Sequence, residues 1–130
     1  MNSEIANGAS GAQTRERIRK TAMAMFAAQG YEKTSLREIA EDLHITKAAL
    51  YYHFSSKNEL AHEIIRPMIQ DLDGVLDTAP REKFNVRSLL SALIDAYVLH
   101  LPVFRLMLRD GTIMNSLNLD AWSKDWFEKA

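Results

Sequence analysis

Residues 35–54 hold two helical signals so close together that only a tight turn fits between them. Ser35-Leu36-Arg37-Glu38 has the spacing of a capping box, in which Ser35 and Glu38 satisfy each other's free backbone N–H groups. Behind it Leu36, Ile39, Ala40 and Leu43 recur at i, i+3, i+4 and i+7, which predicts a helix of about two turns. His44 and Ile45 form the turn, and Thr46 caps a further helix that runs to about Phe54.

The flanking chain is helical too. From Thr14, the residues Ile18, Ala22, Met25 and Phe26 make one apolar face, and Gly30 stops that helix as a C′ residue with positive φ. Ser56-Lys57-Asn58-Glu59 is a second capping box, opening a helix with the stripe Leu60, Ile64, Met68, Leu72 and Leu76. Pro67 interrupts it, so this helix is expected to kink near Glu63–Pro67 or to split. Val86, Leu89, Leu90, Leu93, Ile94, Tyr97, Val98 and Leu101 give the strongest amphipathic pattern, closed by Pro102. A short helix from Val103 to about Arg109 stops at Gly111, and a last one carries Trp122 and Trp126. No run alternates with period two for long, so the fold reads as all-α. Residues 1–13 are small and polar with a single charge and read as a disordered tail.

Composition excludes several classes of function. Without cysteine the chain can form neither a disulfide framework nor a thiolate metal site. Its four histidines show no metal spacing with one another, no cofactor is implied, and no nucleophile–base pair or phosphate-cradling glycine loop points to an enzyme. Asp95 interrupts the best apolar run, SLLSALIDAYVL, so no membrane span is expected, and neither is a signal peptide; the expected location is the cytoplasm. The net charge of −1 does not announce nucleic acid. Residues 14–66 carry nine Lys/Arg against seven Asp/Glu, and residues 67–130 seven against nine. Any DNA binding must come from where a few cations sit.

The segment HITKAALYYHFSSK places four ringed side chains in a row. With Lys47 at the origin of a helical wheel, Leu50 and Phe54 fall near about 300° and about 340° and share a core face. Ala48 and Tyr52 fall near about 100° and about 140°, on the opposite side, with Tyr51 and His53 on the flanks. Tyr52 is therefore predicted to face solvent. Two short helices joined by such a turn form a helix-turn-helix, whose second helix enters the DNA major groove. Ala48 and Ala49 allow close approach to base edges, while Thr46, Lys57, the tyrosine hydroxyls and the imidazole are phosphate donors around it.

The stretch TSLREIAEDLHITKAALYYHFSSKNEL resembles the DNA-binding signature of TetR-type (tetracycline-repressor-like) transcriptional regulators, and the similarity extends back over AMAMFAAQGYEKTS. It covers residues 14–66 and rests on Leu50-Tyr51, His53-Phe54, Lys57 and Leu60 at fixed spacing. The resemblance implies a three-helix helix-turn-helix domain over residues 14–60, then a helical ligand-binding and dimerisation region over 61–130. It implies base contacts from Arg37, Lys47, Ala48 and Tyr51, and backbone contacts from Thr34, Ser35, Thr46, Tyr52, His53 and Lys57. One departure lies in the turn, where the family usually has Ala-Gly-Val-Ser and this chain has Leu43-His44-Ile45-Thr46. Glycine suits a positive φ there, whereas histidine adopts it at some cost.

By the same resemblance, the chain is a repressor that binds an operator as a homodimer and is released by a small apolar ligand. Candidate pocket residues are Tyr97, His100, Phe104, Met107, Met114, Trp122 and Trp126, with Pro67 as a hinge. The sequence ends at WFEKA, partway through the family's late helices. A second reading is therefore a truncated partner that heterodimerises with a longer relative and modulates it.

Overall fold

The computed structural model describes residues 3–77, 85–117, 124 and 128, with side chains from residue 10 onward. Its elements are α1 (Ser3–Gln29), α2 (Leu36–Asp42), α3 (Lys47–His53), α4 (Lys57–Asp77), α5 (Val86–Leu99), α6 (Leu101–Arg109) and α7 (Gly111–Ser116). Among the described residues there is no strand. The chain divides into two compact units, Met1–Ala61 and His62–Ala130.

The first unit is built on the expected apolar faces. Ile18, Ala22 and Phe26 of α1, Leu36, Ile39 and Ala40 of α2, Leu43 of the turn, Leu50 of α3, Phe54 and Leu60 are all buried. Tyr31 joins them and meets Phe26 edge-on at 5.1 Å. Gly30 ends α1 as expected, with φ 96° and its N–H donating to the Phe26 carbonyl at 2.9 Å. The expected disordered tail is corrected: α1 begins at Ser3 and runs back through residues 3–13. No proline breaks that stretch, and lengthening a nucleated helix fixes only one residue per added hydrogen bond. The Thr14 hydroxyl, donating to the Ser10 carbonyl at 2.8 Å, belongs to that extension.

In the second unit α4 passes through Pro67 as one helix to Asp77, so of the kink or split expected there the split does not occur. Ile64, Ile65 and Met68 are buried, whereas Leu72 and Leu76 are half-buried. Asn85 caps α5, accepting from the N–H groups of Arg87 at 3.0 Å and Ser88 at 3.4 Å. His100 ends α5 and starts α6, the two helices bending by 79°. Pro102 lies in the first turn of α6, a position that lacks an intrahelical N–H partner in any case, so it does not delay the helix to Val103. Gly111 was expected to stop the chain's helical run but opens α7, because Asp110 accepts from the Thr112 N–H at 3.1 Å and caps a new helix. No single described helix is long and apolar enough to cross a membrane.

The amphipathic pattern of α5 is only half used. Ala96 is buried and Leu89 and Leu93 are half-buried, but Val86, Leu90, Ile94, Tyr97 and Val98 are exposed.

Candidate nucleic-acid interface

The reading unit is held by its caps. Ser35 accepts from the Glu38 N–H at 3.1 Å, and the Glu38 carboxylate accepts in return from the Ser35 N–H at 3.1 Å, completing the box. Thr46 accepts from the Ala49 N–H at 3.0 Å and starts α3. Ser56 accepts from the Glu59 N–H at 3.0 Å at the start of α4, while the Glu59 carboxylate accepts from the Ser55 N–H at 2.7 Å. Each such cap contributes about 1 kcal/mol.

The turn makes its reversal at His44, whose φ is 55°. His44 N–H donates to the Glu41 carbonyl at 3.1 Å and Ile45 N–H to the Ala40 carbonyl at 3.0 Å, so the end of α2 is satisfied inside the turn. A side chain in the left-handed region costs roughly 1 kcal/mol, and Leu43, buried beside it, helps to hold the turn closed.

Helix α3 presents two opposite faces. Leu50 is fully buried and Phe54, its C-cap, is buried as well. Tyr52 is 85% exposed and Tyr51 44%. The Lys47 ammonium lies 5.6 Å from the centre of the Tyr51 ring, and Tyr52 meets His53 edge-on at 5.2 Å. Ala48 is exposed and Ala49 half-buried. A cation, two phenols and a small side chain thus share one outward surface two helical turns long. That surface can donate to acceptors, stack on bases and approach closely, which is the chemistry of a groove reader.

A family model described as "Bacterial regulatory proteins, tetR family" matches residues 18–64, the stretch that builds this surface. Over these residues the chain is similar to the TetR family. It is 36% identical over 80 residues to the HTH-type transcriptional repressor KstR2 of Mycolicibacterium smegmatis, covering 57% of this chain and 39% of that protein. It is 37% identical over 65 residues to the probable acrEF/envCD operon repressor of Escherichia coli K12, covering 45% of this chain and 30% of that protein. Among solved structures, a TerR/AcrR-family transcriptional regulator from Aquifex aeolicus VF5 is similar at TM-score 0.62 and 27% identity, over 89% of this chain and 64% of that one. A gamma-butyrolactone receptor (ArpA-like protein) is similar at TM-score 0.59 and 31% identity, over 77% and 54%. The chain therefore spans under half the length of these curated relatives. TetR proteins are regulators, not enzymes, and among the described residues no cluster of His, Asp or Glu could hold a metal ion.

Within the TetR-like domain, the structure sorts the residues singled out from sequence. Lys47, Ala48, Tyr51 and Tyr52 share the outward side of α3, with His53 half-buried at its end. Arg37 is exposed on α2 and pairs with Glu41 at 3.1 Å, a surface contact weak enough to exchange for a base. The Ser35 and Thr46 hydroxyls accept from backbone N–H groups as caps, which leaves each a proton to donate outward.

Thr34 is corrected. It is 1% exposed, its hydroxyl donates to the Gly30 carbonyl at 2.7 Å, and that oxygen accepts from Gln29 Nε2 at 3.0 Å. Its side chain belongs to the α1–α2 turn and cannot reach a phosphate. Lys57 is half-buried: its ammonium donates to the Tyr31 carbonyl at 2.9 Å and lies 4.3 Å from the centre of the Tyr31 ring. That anchorage uses one of its three N–H donors and fixes where the charge sits.

One residue that sequence reasoning passed over is Arg15. From α1 its guanidinium Nη1 donates to the His53 carbonyl at 2.6 Å, with the guanidinium carbon 4.2 Å from the centre of the Phe54 ring. The signal was its place one turn before Ile18 on the buried face of α1. Elsewhere on α1, Arg19 hydrogen-bonds Glu16 and holds that carboxyl below the usual glutamate range, while Glu16 raises Arg19. Of the pocket residues, Tyr97 and Phe104 form a tilted ring pair at 4.9 Å, His100 Nε2 lies 2.5 Å from Asp71 Oδ2, and Met107 and Met114 are half-buried. Trp122 and Trp126 lie outside the described residues.

Proposed function

We propose that this chain is a sequence-specific DNA-binding transcriptional regulator, acting as a repressor that a small apolar ligand releases from its operator. The observation that carries the reading is the outward face of α3, where Tyr52 is almost fully solvated while Leu50, on the same short helix, is fully buried. A short helix whose inner side is anchored and whose outer side carries Lys47, Tyr51 and Tyr52 suits insertion into the major groove. Base contacts are assigned to Arg37, Lys47, Ala48 and Tyr51. Phosphate contacts are assigned to Ser35, Thr46, Tyr52, His53 and Lys57. The two curated repressors of similar sequence support repression as the output.

The operator complex is assigned to a homodimer. The exposed apolar side of α5, from Val86 to Val98, supports pairing, because so wide an apolar stripe is unusual on a surface that meets only water. Ligand release is assigned to the region of the Tyr97–Phe104 pair, His100 and Met107, with Pro67 as the point where α4 lacks a backbone donor and bends most readily.

Selection of duplexes from a random library by the full chain, followed by gel shift and sizing of the complex, tests the reading. Enrichment of a two-fold symmetric site bound by two copies is expected. Failure to enrich any duplex refutes DNA reading. A monomer that binds only when mixed with a longer TetR protein selects the heterodimeric partner instead.

A further inference from the structure

We infer that Arg15, on α1, is a positioning residue for DNA reading that sets the roll of α3 by gripping its C-terminal end. The inference rests on the DNA-binding function proposed above and adds to it a residue that faces the protein rather than the duplex.

Helix α3 has only seven residues, too few to hold a direction by its own hydrogen bonds. Its inner side is anchored by Leu50 and Phe54, and its start by the Thr46 cap. Its last carbonyls point away from the helix without intrahelical partners, as at any helix C-terminus. Arg15 donates to one of them, the His53 carbonyl, at 2.6 Å and lies against the Phe54 ring at 4.2 Å. A cation there complements the negative end of the helix dipole. A guanidinium is also flat enough to cover a ring and donate sideways at once. The two contacts hold adjacent residues, one by its backbone and one by its ring, so they resist rotation of α3 about its axis. Rotation matters because a roll of about 20° displaces a side-chain tip lying about 6 Å from the axis by about 2 Å. That distance separates a hydrogen bond to a base edge from none. Arg15 therefore contributes to sequence discrimination without touching DNA.

The test compares the full wild-type chain with Arg15→Met and Arg15→Lys. Affinities are measured for a library-selected duplex and a mixed-sequence duplex across a salt series, at a temperature where circular dichroism shows each protein folded. Arg15→Met is expected to lose about tenfold or more of the preference for the selected duplex, with the slope of log affinity against log salt unchanged. Arg15→Lys keeps the charge and one donor and falls between Met and wild type; should Arg15→Met not fold, it carries the comparison. Preference within about twofold of wild type in a folded variant overturns the inference, whether or not the melting temperature drops. A slope smaller by about 0.9 also overturns it, because Arg15 then neutralises a phosphate. A wild-type chain that selects no duplex overturns the function and the inference together, whereas unchanged preference overturns the inference alone.

Discussion

Leu50 and Tyr52 stand two residues apart on α3 and have opposite surroundings, one with no solvent exposure and the other with 85%. Two helical steps turn the chain by about 200°, which puts the first into the core of the reading unit and the second outside it. Truncating them separates folding from binding. Leu50→Ala leaves a core cavity and should cost about 2–5 kcal/mol in denaturant unfolding. Tyr52→Ala should change stability by no more than about 0.5 kcal/mol while weakening DNA affinity. Equal losses of stability in both would place Tyr52 inside the fold.

The buried Thr34 hydroxyl serves the fold rather than a phosphate. Thr34→Val keeps the shape and removes a buried hydroxyl that both donates and accepts, leaving the Gly30 carbonyl and the Gln29 amide to find other partners. A loss of about 1–3 kcal/mol in stability is expected, with DNA affinity unchanged at a temperature where the variant is folded. Weaker DNA binding at full stability would return Thr34 to the interface.

Lys57 should behave in the opposite way. Lys57→Gln is expected to lower affinity on selected and mixed duplexes alike and to flatten the salt slope by about 0.9. An intact slope would confine Lys57 to the Tyr31 contact.

At His44, glycine relieves the left-handed backbone. His44→Gly should raise stability by up to about 1 kcal/mol, less the cost of a more flexible unfolded chain. A clear loss would mean that the imidazole itself supports the turn.

The Glu16–Arg19 pair sets a small acid dependence. Arg19 depresses the Glu16 carboxyl, so the pair's contribution is fully present above the ordinary glutamate pKa and is lost as pH falls through the lowered folded value. Exposure limits it to about 0.5 kcal/mol. Thermal melts of wild type and Glu16→Gln should differ slightly at neutral pH and converge in acid; a gap that widens in acid contradicts the assignment.

Much of the reading unit was legible because its determinants are local. The Ser35–Glu38 box, the Thr46 cap, the positive φ at His44 and the wheel of α3 each depend on residues within one or two turns. What escaped depends on distant or cooperative effects. Arg15 meets His53 across 38 residues, and no spacing rule reports that contact. The polar composition of residues 1–13 suggested a tail, while helix propagation from α1 prevailed from Ser3 onward. Gly111 looked like a stop until the Asp110 cap made it a start. The α5 pattern specified an amphipathic helix but not how much of its apolar side would be covered.

Pro67 offers a test of signalling apart from DNA contact. It is exposed within a continuous α4. Pro67→Ala should leave affinity for the selected duplex unchanged and shift the concentration at which a releasing ligand acts. An unchanged dose response removes the hinge.

The most direct test of the outward face is the double variant Lys47→Ala/Tyr51→Ala, assayed against the duplex selected by wild type. Both side chains lie on the solvent side of α3, so the variant should fold with the wild-type melting curve and bind the selected duplex at least about 100-fold more weakly. Wild-type affinity in the folded variant would contradict the claim that this face of α3 reads DNA.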